Sequence, residues 1–487
     1  MRRSVQLMLL LTLLGAGLLA TSCATTKRAP VSSVVLRSKM DKKIVALKVE
    51  LRDHKLGQVA QGIAEGDLEN DAEITAAMAE NQSPYVQWEV FRSEGGDLDA
   101  YIAGLRRLSP ARCGLVDKPQ ETAICARAVI ELNRVPTSAS EGEELRLQGA
   151  AQGSARVEQV LVMTPAGEIV PAALNRDERA FEATFTPAAG AGLYTVEIVA
   201  RTGRGLEPAA RWWLKVGSAD LPEARAHAPD AEDAKPADLA KRAFQRLNQD
   251  RQGKGQKPIT WSAALAKMAE ERAAAFAKQG ALSPPDQEKL AKMRVEGDRA
   301  VSRYSEALGD KYAIDAIQDE IMESPSKRQV HLDDAVTIGA TAVARGREKP
   351  PRLYLVEVMG RSYDPTKPAE LRDAIVDRVN LARSRKAIAP TQVNQALQRY
   401  AQSIADRNLK RNDFLEKDDM GRTVSDAILG DIDGLQFAGS EMFRVSGAEE
   451  VTPGATPTNK RFTQIGVGVA RKAADMWWVV ILVAAPE

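Results

Sequence analysis

VTIGATAVARGREKPPRLYLVEVMG, Val336 to Gly360, sets the architecture, because FTQIGVGVARKAADMWWVVILVA, Phe462 to Ala484, repeats its pattern at the end of the chain. Each stretch has an Ile-Gly pair (Ile338-Gly339, Ile465-Gly466) among apolar and small residues, then Val-Ala-Arg at Val343-Ala344-Arg345 and Val469-Ala470-Arg471. A polar turn and a β-branched, aromatic run follow, the pattern of strand, turn and strand. Each stretch lies downstream of a helical segment, which predicts two related α+β domains. Neither carries a nucleophile, metal cluster or phosphate loop of its own.

Outward from these hairpins, the 487 residues suffice for about three domains. With 67 basic against 66 acidic residues, the charge of +1 gives no reason to expect nucleic acid as partner. Upstream, RAHAPDAEDAKPAD marks a linker, placed at 219–238, with His227 inside it read as inert. Residues 135–218 hold short strands separated by Gly and Pro turns, as in a β-sandwich. Its core candidates are Phe181, Phe185, Tyr194, Val196, Ile198 and Trp213. Residues 38–134 form an N-terminal α+β region, with strands expected over 43–52 and around YVQWEVFR, a helix over 97–108 and strand-like sequence from Cys125 to Leu132.

Residues 1–23 have the form of an export signal: Arg2 and Arg3, an apolar run from Leu7 to Leu19, then Ala20-Thr21-Ser22-Cys23. This end resembles a bacterial lipobox, which implies a lipid on Cys23, a tether over 24–37 and attachment to the cell envelope, in particular the outer membrane. Cleavage nearby or a retained anchor are the alternatives. Export leaves Cys113 and Cys125 to pair as a disulfide, with a cysteine nucleophile as the other reading.

Residues 239–362 resemble the CAP family, the cysteine-rich secretory, antigen 5 and pathogenesis-related 1 proteins, in its bacterial SCP-like form. AFQRLNQDRQGKGQKPITWSAALAKMAEERAAAFAKQG looks like the family's opening helices, with Phe244, Leu247, Trp261, Leu265, Met268, Ala269 and Phe276 inward. Ser324-Pro325-Ser326-Lys327-Arg328 is similar to its Ser-Pro-Gly-His-Arg segment, with Lys327 in place of a cavity histidine. His331 lies four residues on, as a displaced substitute or a boundary histidine. The earlier Phe-Ser-His box has become Ala281-Leu282-Ser283-Pro284.

Residues 370–487 resemble the same family in a degenerate form, with Ile375, Val379, Leu381, Leu397, Ala401 and Ile404 as core. Glu416 occupies a histidine position, Asp418 begins the matched part of the loop, and Glu441 is similar to the family's conserved acid. The helix before the last hairpin is replaced by VTPGATPTNK. Within the sandwich, FEATFTPAAGAGLYTVEIVA resembles a hairpin of immunoglobulin-like modules, so the expected chain is multidomain: an N-terminal mainly-β region with an immunoglobulin-like sandwich, then two αβα CAP-like domains.

Lys327, His331, Glu416, Asp418 and Glu441 are the ligand-binding candidates; an acidic, solvated face is the plain alternative, and Arg422 is expected to pair with one of these acids. No catalytic set, metal site or cofactor is expected, because protonated Lys327 supplies no lone pair and Glu416 is a lone oxygen ligand. The resulting expectation is a non-enzymatic, lipid-anchored envelope protein whose tandem domains bind an envelope protein, lipid or glycan. The alternatives are a hydrolase acting on peptide or peptidoglycan bonds and a purely structural stalk.

Overall fold

Asp53 opens the described part of the chain, and its Oδ1 accepts from the amides of Lys55 and Leu56 at 3.0 and 3.1 Å, capping α1 (His54–Glu65). The structure, a computed structural model, describes residues 53–68, 71–92, 111–116, 122–223, 225–279, 293–296, 299–347, 351–384, 386, 388–417, 420–471 and 476–486. Cys23, the strand expected over 43–52, the helix expected over 97–108, Ala281 to Pro284 and Asp418 lie outside them.

With α1, α2 (Asp71–Glu80) packs on a three-stranded antiparallel sheet of β1 (Trp88–Arg92), β2 (Ala111–Val116) and β3 (Thr122–Arg127), with β3 central. Helix α1 approaches β2 so closely that a Cβ on Gly114 would lie 2.2 Å from the Leu56 backbone, so glycine is required there. Cys113 and Cys125 sit directly opposite each other on β2 and β3, fully buried, and form a disulfide.

A β-sandwich follows. One sheet has the order β4 (Ile130–Leu132), β6 (Leu145–Ala151), β10 (Ala180–Phe185), β9 (Ala173–Asp177). The other runs β5 (Ser138–Ala139), β12 (Gly205–Val216), β11 (Gly192–Thr202), β7 (Arg156–Met163), β8 (Ile169–Pro171). The run from Cys125 to Leu132 therefore divides between two sheets, and the sandwich begins at Ile130 instead of residue 135. Phe181, Tyr194, Val196 and Ile198 are buried between the sheets and Phe185 packs at their margin. The expectation for Trp213 is overturned. Trp212 is the core residue, with its Nε1 donating to the Pro136 carbonyl at 2.8 Å. Trp213 points to the other face, because successive strand residues alternate.

Two α/β units complete the chain. In the first, α3 (Pro236–Gly253) leads to β13 (Thr260–Trp261), α4 (Ala263–Gln279), β14 (Arg294–Val295), β15 (Arg299–Lys311), α5 (Ile314–Glu323), α6 (Pro325–His331), β16 (Ile338–Arg345) and β17 (Leu353–Tyr363). The sheet order is β13-β16-β17-β15-β14. Helices α3 and α5 cover one face, through Leu239, Ala243, Ile317 and Ile321, and α4 covers the other, through Leu265, Ala269 and Ala273. Trp261 is 43% exposed instead of inward, and meets Phe244 edge-on at 5.0 Å.

The second unit runs α7 (Pro368–Ser384), β18 (Gln392–Val393), α8 (Gln395–Arg411), α9 (Val424–Asp431), β19 (Leu435–Val445), β20 (Gln464–Ala470) and β21 (Trp477–Pro486). Its order, β18-β20-β21-β19, has the connectivity of β13-β16-β17-β15, with a parallel first pair and antiparallel others. Where the first unit places α5 and α6, the second has only a 3-10 turn at Ala448–Glu450.

Both units close on the same buried arginine. In the first, Arg251 is 1% exposed; its Nε donates to the Lys257 carbonyl and its Nη1 to those of His331 and Asp333, at 3.2, 3.2 and 2.9 Å. In the second, Arg383 is 1% exposed; its Nε donates to Ala389, its Nη1 to Pro457 and Asn459, and its Nη2 to Phe462, at 2.7, 2.9, 3.0 and 2.8 Å. One helical turn before each arginine an asparagine brackets the next short strand: Asn248 with Ile259, Asn380 with Thr391.

These bonds correct the frame of the repeat. Ser262 donates its amide to the Gly339 carbonyl, and Asn394 donates to that of Ile465. Gly339 thus corresponds to Ile465 and Ile338 to Gln464, one residue from the Ile-Gly match. A one-residue slip exchanges the two faces of a strand. Accordingly Gly466 faces α8, 2.3 Å from Leu397 backbone for an added Cβ, whereas Gly339 faces the α3 side at Ile259.

Replacing Arg251 by Met should cost roughly 3–5 kcal/mol, since three buried carbonyls lose a charged donor. Arg251→Lys should recover little of it, for an ammonium lacks the planar fork. Urea denaturation of the three proteins checks both statements. Cys125→Ser should lower stability by about 3 kcal/mol in the same measurement, the value for a loop of this length.

Candidate functional site

The segment Ser324 to Arg328 is where the sequence places the cavity of the first unit, and it is packed against the sandwich. Ser324 immediately precedes α6, and Pro325 occupies its first turn, where a missing N–H costs nothing. The Ser324 hydroxyl does not cap its own helix. It donates to Oε2 of Glu197 on β11 at 2.6 Å, while Oε1 of the same carboxylate accepts from the Ser326 amide at 2.9 Å. Glu197 and Ser324 are both fully buried. A carboxylate from the sandwich therefore does the capping, favoured by the partial positive charge of the helix start. Arg328 lies against Gly167 in the turn after β7. That glycine has φ +82°, and a Cβ there would stand 2.6 Å from the guanidinium.

Lys327 pairs with Glu320 on α5 at 2.5 Å. Burial works against the Glu320 carboxylate, but Lys327, Lys311 and Arg211 outweigh it and hold its pKa at about 2. Lys327 is thus a structural counter-ion.

His331 is sealed in the core instead of sitting at a boundary. It is 0% exposed, with Nδ1 2.8 Å from Oε2 of Glu357 and Nε2 3.3 Å from Oδ2 of Asp250. Gln318 donates to the other Glu357 oxygen at 2.6 Å, and Arg246 to the other Asp250 oxygen at 3.0 Å. Burial by itself depresses an imidazolium. Here the Glu357 charge and the bonds to Asp250 and Glu357 overcome it and raise the pKa to about 9. Protonated on both nitrogens, the ring has no lone pair for a metal. Among the described residues, no group of three or more His, Cys, Asp or Glu side chains is placed to hold a metal ion.

The second unit does not gather its candidates either. Both oxygens of Glu441 accept backbone amides, from Gly454 at 2.9 Å and Thr456 at 3.3 Å, so this acid pins the loop that replaces α5 and α6. Glu416 is exposed beyond α8. Arg422 pairs with Asp431. His227, read as inert in the linker, instead contacts Asp319 of α5 at 3.1 Å. Glu197, Asp250 and Glu357 gave no local signal. Arg251 and Arg383 did: Asn-x-x-Arg closes the opening helix in both units.

Residues 244–357 match the family model of the cysteine-rich secretory protein family, CAP. The first α/β unit is a CAP domain. No curated protein matches the chain. Among solved structures, an extracellular protein with an SCP domain from Bacillus anthracis is 17% identical, covering 30% of this chain, with a TM-score of 0.21. The chain spans 57% of that protein. A cysteine-rich secretory protein from Staphylococcus aureus is 10% identical over 64% of this chain and 98% of its own, with a TM-score of 0.22. An outer surface protein from Borrelia burgdorferi is 12% identical over 26% of this chain and 96% of its own, with a TM-score of 0.23.

The His331 charge makes stability depend on pH. A pKa raised from 6.5 to about 9 in the folded state gives stabilisation that is complete below pH 6.5 and lost as pH rises through about 9. The first unit should lose on the order of 3 kcal/mol across that window. His331→Leu should flatten the dependence, as read from urea midpoints at each pH.

Proposed function

We propose that this is a non-enzymatic protein of the bacterial cell envelope, tethered by lipid on Cys23, in which the CAP domain and a diverged second copy act as a binding scaffold. The sandwich, read as immunoglobulin-like, is its docking module. The single observation that carries the reading is the closure of the CAP unit's inner face. His331 is buried as a cation between two carboxylates, and the Ser324–Arg328 segment is held under the sandwich by Glu197. General-base or metal chemistry needs an accessible lone pair, and this imidazole offers none. The alternative, hydrolysis of peptide or peptidoglycan bonds, requires that network to open. The second copy is supported by the repeated Asn-x-x-Arg closure and by the shared strand order. Among the described residues no helix is long and apolar enough to cross a membrane.

The membrane-extracted protein should bind neither Zn²⁺ nor Ca²⁺ stoichiometrically at micromolar concentration, and should not turn over peptide, ester or peptidoglycan substrates. Calorimetric titration and hydrolysis assays check this. Micromolar zinc binding lost in His331→Ala, together with metal-dependent turnover, would refute the scaffold reading. Intact mass of the same material should show acyl groups on Cys23.

A further inference from the structure

A cavity of about 520 Å³ opens where the N-terminal unit, the sandwich, the linker and the CAP domain meet, in the size range of small-molecule sites. Its walls differ in chemistry. Helix α5 presents Ala316, Asp319, Glu320 and Glu323 at helical spacing, so one face is acidic. Aromatic residues also line it, Trp88 and Tyr85 from the N-terminal unit and Trp213 from β12, with Arg211 two residues before Trp213 on the same strand.

Most of the charges lining this cavity are satisfied by protein. Asp319 meets His227 and Arg246, Glu320 meets Lys327, and Lys311 meets Asp71 while lying 5.2 Å over the Trp88 ring. Among the described residues, four side chains lining the cavity remain without an ion pair: Glu323 on α5, Arg211 on β12, and Glu223 and Arg225 in the linker. Glu323 is an exposed residue at the cavity wall, with protein packed around it. That surrounding pushes its carboxyl above the usual range, with Arg211 and Arg225 only partly opposing the shift. Ser83, a further wall residue, is 4% exposed, and its Oγ has no hydrogen-bond partner.

We propose that the cavity binds a small zwitterion with an apolar body, as in a short peptide with free termini, its ammonium group directed to Glu323 and its carboxylate to Arg211. The apolar part would lie against Trp213, where an aromatic face also favours a neighbouring ammonium. A purely anionic ligand would meet the acidic face of α5, and a purely cationic one would meet Arg211 and Arg225. The inference rests on the scaffold reading, since it assigns binding and no chemistry to the site.

The test is calorimetry on the detergent-solubilised full chain with the tripeptide alanyl-phenylalanyl-alanine in free, N-acetylated and C-amidated forms. Each cap should weaken binding about tenfold, a loss of one charge pair. Glu323→Gln should abolish the effect of acetylation, Arg211→Gln that of amidation, and Trp213→Ala should weaken all three peptides. Circular dichroism melts identify any variant that fails to fold, and for such a variant the free-against-capped comparison on the unmodified protein decides alone. Equal affinity for the free peptide and both capped forms, or no saturable binding at millimolar peptide, would overturn the proposal and leave the scaffold reading standing. Binding accompanied by cleavage of the tripeptide, seen by mass spectrometry, would sink the scaffold reading and keep the site.

Discussion

A guanidinium removed from water must find acceptors for its donors, and this requirement organises both α/β units. Arg251 and Arg383 find theirs in backbone carbonyls from two separate loops each, the one just after the opening helix and the one just before the hairpin. A carbonyl has no alternative donor when it is buried, so loop and arginine hold each other in place. The asparagine one turn earlier does the same for the short edge strand. Helix, edge strand and hairpin are thereby brought to one register before any apolar contact is counted. Burial lowers the pKa of both guanidinium groups, yet they keep their charge because the ordinary value is so high.

Around this shared closure the two units spend their polar residues differently. In the first, Glu357 on the α3 side of β17 holds Gln318 and His331, and so ties α5 and α6 to the sheet. The corrected register sets Glu357 against Ile481, and the arginine contacts set His331 against Pro457. The second unit has neither charge, and correspondingly neither helix. Its loop is instead gathered by Glu441 through backbone amides. One unit thus keeps a buried ionic network beneath the helices that meet the sandwich, and the other an apolar face of Val479, Ile481 and Val483.

The contact through Glu197 links fold to function. By capping α6 from the sandwich, this carboxylate turns a surface helix into an internal joint. The joint covers the segment that resembles the family's cavity border, and it brings α5 to the same cavity as Trp213 and Arg211. Closing one cleft and framing another are consequences of the same docking.

How much of this was legible in advance follows from the range of each interaction. Alternation of apolar residues, turn residues and helical spacing are local, so the sandwich, the opening helices and the two terminal hairpins could be read from the chain itself. Cys113 and Cys125 could be paired because two cysteines remained, at a sequence separation of 12. The register of the repeat could not: Ile-Gly recurs by eye, yet the strand partners that define correspondence are hydrogen bonds between distant residues. The choice of Trp212 over Trp213 for the core also depended on which sheet face met its partner, something a two-residue aromatic run does not encode. The roles of His331, Glu441 and Lys327 were out of reach for the same reason. A side chain's charge state and accessibility are set by what folding places beside it, and Glu357, Gly454 and Glu320 become neighbours only when the chain has closed.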